Sequence, residues 1–359
     1  MKEHINHINI SDFQTDLITW YNTVKRDLPW RKNSDPYRIL VSEIMLQQTQ
    51  VATVIPYYNR FVAHFPTAKD LANADENVLL KAWEGLGYYS RARNLQASAK
   101  MIDKLGDFPT EHKNILKLKG VGPYTAGAIA SIAFNIPAPA IDGNVFRVIS
   151  RIGAIFDNIA KPATRKLFES IVTELIPSKN PGDFNQALME LGATLCTPKS
   201  AKCQECPVRK HCQAYTQGID DQLPIKTKPV KQRKVKLIVG IIENEQGQWL
   251  LAKRPETGLL ANFYEFKQFE YEAGYPEEIL KGHLLDAGYS VKQMKFLGFS
   301  KHVFTHRIWE MEAYKVIVDA RVSIYEENEI WVNPKDLEQY SLAVAHVRIL
   351  ENSSALVKR

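Results

Sequence analysis

The stretch Leu116–Arg147, LKLKGVGPYTAGAIASIAFNIPAPAIDGNVFR, decides how the chain is organised. It contains a glycine turn, Gly120-Val121-Gly122, before an Ala-rich segment that predicts a helix, and an acidic turn at Asp142 before a second helix. The glycine turn leaves backbone N–H groups free at a helix start, and such groups bind phosphate. Asp142 would then act on whatever the phosphate is attached to. Each feature also has a plainer interpretation, since glycine turns and aspartate helix caps occur without any ligand.

The composition and charge set broad limits. A chain of 359 residues is long enough for two domains, and 45% hydrophobic with 24% charged residues is typical of a soluble protein. The net charge of +6 mildly favours an anionic partner such as nucleic acid. The start, MKEHINHINISDF, lacks the apolar core of a signal peptide, and no apolar run reaches the length of a membrane span. We therefore expect a cytoplasmic protein without membrane contact.

Apolar residues recur at helical spacing as far as about Gln217, which predicts an all-helical region. Asp35-Pro36 predicts a helix start, because aspartate caps a helix and proline fits its first position. The Pro- and Lys-rich segment Asp221–Lys236 predicts a linker. The expected helices are Phe13–Val24, Tyr37–Gln48, Val51–Phe65, Ala68–Ala74, Glu76–Trp83, Val145–Phe156, Thr164–Ile176 and Asp183–Leu195.

Beyond the linker the hydrophobic pattern changes to a period of two, which predicts strands. One helix is expected among them, at Pro276–Ala287, so this region predicts a separate α+β domain. The expected strands are Lys236–Ile242, Trp249–Lys253, Phe263–Phe269, Arg307–Val318 and Glu329–Val332.

Glu43 lies on a mainly apolar face of its predicted helix. Its neighbours three and four positions away are Ile39, Leu40, Leu46 and Gln47. The plainer interpretation is a salt-bridged glutamate at the edge of a core. If Glu43 instead faces a pocket, desolvation raises its pKa and makes it a general acid near neutral pH.

Two turns combine aromatic and basic residues. Lys25–Arg31 is a basic, aromatic loop, and Gly85–Arg93 carries two tyrosines followed by arginines. Such side chains on a turn suit wedging into nucleic acid and gripping it. The alternative is an ordinary helix hairpin packed by tyrosines, which the segment by itself does not exclude.

All four cysteines fall in one short segment with the spacing C-x6-C-x2-C-x5-C, namely Cys196, Cys203, Cys206 and Cys212. In a reducing compartment they are not expected to pair as disulfides. Zinc sites usually join two short Cys/His hairpins, whereas clustered thiolates also suit an iron–sulfur cubane, so both stay open on the residues alone. Basic residues within the loop indicate a structural clamp that presents charge to phosphates.

Together these motifs resemble a known family. The Gly120-Val121-Gly122 turn followed by Asp142 resembles the helix–hairpin–helix DNA glycosylases of the endonuclease III superfamily, whose 4Fe–4S signature has the cysteine spacing found here. Within it, the segment Glu43–Val51, EIMLQQTQV, resembles the adenine DNA glycosylase branch, the MutY type. The resemblance covers essentially the whole chain. It implies a 4Fe–4S cluster, duplex DNA with adenine opposite 8-oxoguanine or guanine as substrate, and a monomeric, nucleoid-associated bacterial enzyme of base excision repair.

One position distinguishes the branches of this superfamily. Bifunctional members carry a lysine nucleophile just after the hairpin, and this sequence has Tyr124 there. Without the amine, an imine intermediate and efficient β-elimination are not expected. The resemblance therefore implies a monofunctional glycosylase. The alternatives are a bifunctional pyrimidine glycosylase and AP lyase of the endonuclease III type, and a non-catalytic DNA-binding module.

The resemblance also implies roles for individual residues. Glu43 would protonate adenine N7 and Asp142 would stabilise the cationic sugar. Asp142 at a helix start is expected to stay ionised, while Glu43 on its apolar face holds a proton longer. The other implied roles are Tyr124 and Asn144 positioning the sugar, Gln48 and Tyr88 in the vacated stack, Leu86 and Thr49 near 8-oxoguanine, Gly120 and Gly122 on the DNA backbone, and Arg26, Leu28, Trp30, Arg31 and Glu190 in the adenine pocket.

The C-terminal region resembles the Nudix domain that MutY enzymes use to recognise 8-oxoguanine. A Nudix hydrolase needs a glutamate-rich helix to hold magnesium, and the corresponding segment, PEEILKGHLLDAGY, lacks that set. Hydrolase activity is therefore not expected. The loop Phe304-Thr305-His306 matches the family's Phe-Ser-His loop, which implies a contact with the oxidised guanine.

The expected architecture is a multidomain chain. Residues 1–220 would form an all-α helix–hairpin–helix glycosylase domain, with a hairpin subdomain at about 31–135 and a cluster subdomain of 1–30 plus 136–220. A linker at 221–235 would lead to an α+β Nudix-like domain at 236–359.

Overall fold

The computed structural model describes residues 2–227, 232–304, 306–319 and 328–357. The chain divides into two compact units. The first contains Met1–Ala82 and Ser90–Lys228, and the second contains Trp83–Tyr89 and Pro229–Arg359. The first unit is helical and the second is built on a sheet, as the predicted fold class requires. In the described part of the chain, no helix has both the length and the apolar character needed to span a bilayer.

The helices of the first unit follow the predicted order along the chain. Most predicted ends differ from the observed ones by a few residues only. The bounds are α1 Ile10–Val24, α2 Pro36–Leu46, α3 Val51–His64, α4 Ala68–Ala72, α5 Glu76–Ala82, α6 Ser90–Leu105, α7 His112–Ile115, α8 Pro123–Phe134, α9 Gly143–Ile152, α10 Pro162–Leu175, α11 Pro181–Thr194 and α12 Gln213–Gln217.

Aspartate caps begin helices α2 and α9. The Asp35 carboxylate accepts a hydrogen bond from the Tyr37 N–H at 2.9 Å, and Pro36 is the first residue of α2, which confirms the predicted start. Asp142 caps α9 in the same way, accepting from the Val145 N–H at 2.8 Å. These hydrogen bonds therefore fix the two carboxylates at the first turns of α2 and α9.

Helix α2 ends at Leu46, before the predicted end, because a buried arginine takes its last carbonyl groups. Arg91 donates to the Met45 carbonyl oxygen at 2.9 Å and to Thr49 Oγ1 at 3.2 Å. Gln48 then adopts a left-handed conformation with φ of 57°. The interpretation of this arginine as a grip on nucleic acid is therefore wrong, since Arg91 is buried and orders the turn after α2.

The predicted hairpin turn precedes α8, and its two glycines differ. Gly120 has φ of +74°, and a Cβ there would lie 2.7 Å from the Cβ of Asn94. Gly122 has φ of −93° and open space where a Cβ would stand. The backbone conformation therefore favours glycine at position 120 but not at position 122. Gly122 instead leaves an open surface at the start of α8.

Helices α9 and α11 approach each other closely beside the acidic turn. A Cβ on Gly192 would lie 2.6 Å from the Cβ of Asn144, so glycine permits this approach. Arg147 then donates to the Gly192 carbonyl oxygen and to Asn144 Oδ1, each at 2.8 Å. The Asn144 side chain is thereby fixed next to Asp142.

The predicted linker is shorter than its composition indicates. Leu223 is buried, and its carbonyl oxygen accepts from Arg151 Nε at 3.1 Å. The Ile225 carbonyl oxygen accepts from the Ile159 N–H at 3.0 Å. Backbone groups with such partners belong to the helical unit. The first strand begins at Arg233, ahead of the expected start.

The second unit is a mixed sheet with a helix against each face. Its strands lie in the order β3-β2-β1-β6-β5, with β4 also paired to β1 and β7 to β2. The pair β1 and β6 is parallel and the other pairs are antiparallel. The bounds are β1 Arg233–Glu243, β2 Trp249–Lys253, β3 Tyr264–Glu265, β4 Lys267–Glu270, α13 Pro276–Asp286, β5 Ser290–Val303, β6 Arg307–Asp319, β7 Glu329–Val332 and α14 Val344–Val357.

Alternate residues of β1 face two different cores. Val239 packs in a cluster with Ile349 of α14, whereas Ile238 packs in a cluster with Leu280 of α13. The predicted strand Phe263–Phe269 is wrong as a single strand. It is interrupted at the buried Phe266, whose N–H faces the Nδ1 of His346 at 3.3 Å.

Candidate active site

Predicted site residues from separate parts of the helical unit line one cavity of about 570 Å³. They come from the loop before α2, from α2 and its following turn, from the starts of α8 and α9, and from α11. The predicted residues in its lining are Arg26, Leu28, Trp30, Arg31, Glu43, Gln48, Thr49, Tyr124, Asp142, Asn144 and Glu190.

Glu43 is a buried acid of this lining, and only Glu190 is more buried among the acids there. Its side chain is 6% exposed, and burial raises its pKa to about 7, with the nearby Asp142 adding to the rise. The Tyr124 hydroxyl and Arg31 favour the charged form but do not outweigh burial. Among the described residues, Glu43 Oε2 has no hydrogen-bond partner. A carboxyl with this pKa and a free oxygen in a cavity can pass a proton to a ligand near neutral pH.

Asp142 is held differently. Its Oδ1 accepts from the Val145 N–H and its Oδ2 from Asn144 Nδ2, each at 2.8 Å. Burial raises the pKa of Asp142, although these hydrogen bonds and Arg147 act to lower it. Desolvation is the larger effect, so the pKa of Asp142 is raised despite its place at a helix start. That Asp142 stays ionised near neutral pH remains a prediction. The hydrogen-bond donors around Asp142 still favour its ionised form, whereas Oε2 of Glu43 has no donor among the described residues.

Tyr124 stands at the start of α8 with its hydroxyl beside Glu43. The hydroxyl also contacts Met189 Sδ at 3.6 Å. Burial, then the charges of Glu43 and Asp142, raise the pKa of Tyr124 well above its usual value. The side chain therefore stays a neutral phenol, and no amine occupies this position.

An arginine pair and a buried glutamate form another wall of the cavity. Glu190 accepts from Arg26 Nε at 2.6 Å and from Arg31 Nη2 at 2.8 Å. Burial would raise the pKa of Glu190, but the two guanidinium groups outweigh it and hold that pKa below its usual value. Beside them Trp30 is buried edge-on against Tyr58, with 5.4 Å between ring centroids. A flat, apolar surface and a charged hydrogen-bonding group suit a purine.

Sequence reasoning missed several lining residues of α11. Gln186 and Ala193 lie four and three positions from Glu190 and share its face, and Met189 immediately precedes it in the chain. Helical periodicity around Glu190 is the signal that could have found Gln186 and Ala193. Arg165 of α10 was also missed, and its sequence context carries no such signal.

The remaining predicted DNA contacts lie elsewhere. Gly120 and Gly122 form the hairpin before α8 and are not part of the cavity lining. Leu86 and Tyr88 belong to Trp83–Tyr89, which groups with the sheet-containing unit. Tyr88 is 46% exposed with φ of 48°, and Leu86 is buried.

The predicted Phe-Thr-His loop connects β5 and β6. Phe304 is half-buried, with its ring centroid 4.9 Å from that of Trp309. Its N–H donates to the Arg307 carbonyl oxygen at 2.8 Å, and His306 is exposed. Thr305 lies outside the described residues.

The four cysteines line one pocket between α9, α11 and α12. None forms a disulfide. Burial raises the pKa values of Cys203, Cys206 and Cys212, and interactions with neighbouring cysteines add to the rise. Arg151 is buried and donates to Cys196 Sγ at 3.3 Å, so a cation faces the sulfur that would carry charge as a ligand. Four free thiols that line one pocket, with a buried cation beside one of them, are the donor type that a thiolate-ligated cluster uses. Among the described residues, no group of three or more Cys, His, Asp or Glu side chains is positioned to hold a metal ion.

Comparison with known proteins agrees with this geometry. Residues 41–174 match the family model described as HhH-GPD superfamily base excision DNA repair protein, and residues 238–352 match the NUDIX domain. A solved thermostable thymine-DNA glycosylase is 31% identical, with a TM-score of 0.52, and the match covers 58% of this chain and 97% of that one.

Two adenine DNA glycosylases show the branch. The Arabidopsis thaliana protein is 38% identical over 81% of this chain, which spans 54% of that protein's length. The protein of Buchnera aphidicola subsp. Acyrthosiphon pisum is 33% identical, and the match covers 95% of this chain and 97% of that protein. The predicted family is thereby confirmed, and the chain belongs to the adenine DNA glycosylase family.

Proposed function

We propose that this protein is a monofunctional DNA glycosylase that removes adenine mispaired with 8-oxoguanine or guanine in duplex DNA. The observation that carries the proposal is a neutral-range acid and a hydrogen-bonded carboxylate in one cavity, Glu43 and Asp142. Two carboxyl groups with different environments are what hydrolysis of a glycosidic bond requires. The adenosine must leave the base stack to reach them.

In the proposed reaction the N-glycosidic bond breaks and its electron pair goes to the base. Protonated Glu43 gives its proton to adenine N7, so that the departing base is neutral. The Asp142 carboxylate stabilises the positive charge that develops on the sugar. Water then adds to the anomeric carbon, and its proton passes to the Glu43 carboxylate, which restores the acid. Tyr124 and Asn144 position the sugar between the two groups.

Further contacts are proposed on the residue types in the wall and on the family resemblance. The pair Arg31 and Glu190, with Arg26, would hydrogen-bond the base, while Leu28 and Trp30 pack against its face. Gln48 and Tyr88 would fill the vacated stack, with Thr49 and Leu86 near 8-oxoguanine. Gly120 and Gly122 would hold the phosphate backbone. The loop Phe304-Thr305-His306 would contact the oxidised guanine, and the protein would act as a monomer.

The proposed domain organisation follows the same division of labour. Residues 1–220 would form the catalytic domain, with the hairpin subdomain at about 31–135 and the cluster subdomain in the remainder. A linker within 221–235 would lead to a Nudix-like recognition domain at 236–359. We also propose action on bacterial nucleoid DNA in the cytoplasm.

We propose that Cys196, Cys203, Cys206 and Cys212 hold a 4Fe–4S cluster. Bound there, the cluster would fix the basic loop between α11 and α12 as a rigid surface for phosphates. The free thiols around one pocket and the buried Arg151 support this donor set.

Protein purified without air is therefore expected to be brown, with broad visible absorbance and about four iron atoms per chain. Cys206→Ser should lose the colour and iron, because it removes one of the proposed ligands. A colourless wild-type protein that contains zinc instead of iron would contradict the cluster assignment.

Tyr124→Lys is expected to gain strand-nicking activity. The new amine would lie beside the two carboxyl groups in the cavity, where it can attack the sugar and form a Schiff base. Borohydride should then trap a covalent protein–DNA adduct that is absent with the wild type. Tyr124→Phe is the matched control, since it alters the same side chain without adding an amine. If Tyr124→Lys forms no adduct, the argument from this position is weakened.

The proposed substrate is tested by single-turnover assays of the full chain on four duplexes. They carry adenine opposite 8-oxoguanine, adenine opposite guanine, thymine opposite guanine, and thymine glycol opposite adenine. Excision of adenine alone, fastest opposite 8-oxoguanine, is the expected result. Release of thymine glycol would instead favour the bifunctional alternative, and binding without excision would favour a non-catalytic module.

A further inference from the structure

The cavity lining contains one cation that the proposed chemistry does not use. Arg165, in the first turn of α10, lines the cavity together with Asp142 and Glu43, and its side chain is exposed. Its guanidinium lies over the ring of Phe146, 5.5 Å from the centroid. Phe146 is buried and lies one turn after Asp142 in α9. The ring therefore holds the guanidinium on the side of the cavity where α9 begins.

The charges around the cavity leave Arg165 available to an anion. The other two arginines of the lining, Arg26 and Arg31, are bound to Glu190. Across the residues that the structure describes, Arg165 is in an ion pair with no carboxylate, whereas Asp142 has its own donors. An exposed guanidinium presents a planar set of donors that matches the oxygens of a phosphate.

A phosphate is the anion that the proposed substrate brings to this position. A nucleotide that leaves the base stack remains attached to its strand by a phosphate on each side. When the base and sugar enter a cavity, those phosphates stay at its edge, where charge-assisted hydrogen bonds fix register without reading sequence. We propose that Arg165 binds a backbone phosphate next to the extruded adenosine and so retains the nucleotide in the cavity. This inference rests on the proposed adenine excision.

The next residue provides a matched control. Lys166 is also exposed and cationic on α10, but it is not part of the cavity lining. Both residues add to non-specific attraction of DNA. The proposal requires that, of these two residues, only Arg165 helps to distinguish DNA with an extruded nucleotide from fully paired DNA.

Fluorescence anisotropy of Arg165→Gln and Lys166→Gln tests this difference. The probes are a duplex with a tetrahydrofuran abasic analogue opposite 8-oxoguanine and a fully paired duplex of the same length. Arg165→Gln should lose about tenfold in affinity for the analogue duplex relative to the paired one, with a salt slope smaller by about one. Lys166→Gln should leave that ratio unchanged, and Arg165→Lys should restore part of it. Equal loss on both duplexes with Arg165→Gln would overturn the proposal.

Neutralising single phosphates identifies the contact. A methylphosphonate is placed in turn on each side of the analogue. At one of the two positions it should weaken wild-type binding as Arg165→Gln does, and the combination should cost no more than either change. Additive losses at both positions would overturn the proposal. If the wild type excises adenine but Arg165→Gln and Lys166→Gln have the same ratio of affinities for the two duplexes, this inference alone is wrong. If the wild type does not excise adenine, the proposed function is wrong.

Discussion

Asp142→Asn is expected to abolish adenine excision while DNA binding persists. Asparagine still caps α9 by accepting from the Val145 N–H, so the fold should hold. The variant loses the negative charge that stabilises the sugar cation, and the single-turnover rate should fall by roughly 1,000-fold or more. Excision is measured by alkaline cleavage of the abasic product, and binding by anisotropy on a duplex with an abasic analogue.

A second aspartate cap supplies the control for this variant. Asp35 also caps a helix through its carboxylate, accepting from the Tyr37 N–H at 2.9 Å, and it is not in the cavity lining. Asp35→Asn should therefore excise adenine close to the wild-type rate. Full activity in Asp142→Asn would remove Asp142 from the mechanism, and equal losses in both variants would indicate damage to capping instead.

Glu43→Gln is expected to lower the excision rate by about 100- to 10,000-fold and to flatten its pH dependence. The wild-type rate should fall as pH rises through about 7, because Glu43 must hold its proton to act as an acid. Glutamine keeps the shape of the side chain, but its amide N–H groups are not acidic in this pH range. Single-turnover rates from about pH 5 to about pH 9 give the profile. A wild-type profile that is flat across this range would contradict the role of Glu43.

The same pKa shift affects stability. The folded pKa of Glu43 is raised to about 7 from 4.5, so folding favours the protonated form. The stability contributed by Glu43 is present below the unfolded pKa and is lost as pH rises through the folded value. Glu43→Gln should therefore unfold at a higher denaturant concentration than the wild type at about pH 8, and at a similar one near pH 4. This difference separates an altered proton equilibrium from loss of the fold.

Much of the geometry of the candidate site could be predicted from the sequence, because local rules decide it. The caps at Asp35 and Asp142 follow from residue type and position, and the apolar neighbours of Glu43 indicate its burial. The cavity that joins Glu43 to Asp142 depends on α2, α8 and α9 packing together, which the family resemblance supplied and helical periodicity alone did not.

Other features depend on contacts that the sequence does not reveal. Helix α2 ends where Arg91 binds its last carbonyl groups, and Arg91 lies more than forty positions later in the chain. The pKa of Asp142 depends on how far packing removes water, and this outweighs the favourable helix start. Strand β5 was not predicted, because its mostly exposed residues lack strict alternation, and α14 was also missed.

The most direct test of the central claim is an analysis of products from a duplex with adenine opposite 8-oxoguanine. The account predicts one free adenine released for each abasic site, with the strand intact until alkali is added. Strand cleavage at the rate of base release, or release of another base, would contradict a monofunctional adenine glycosylase.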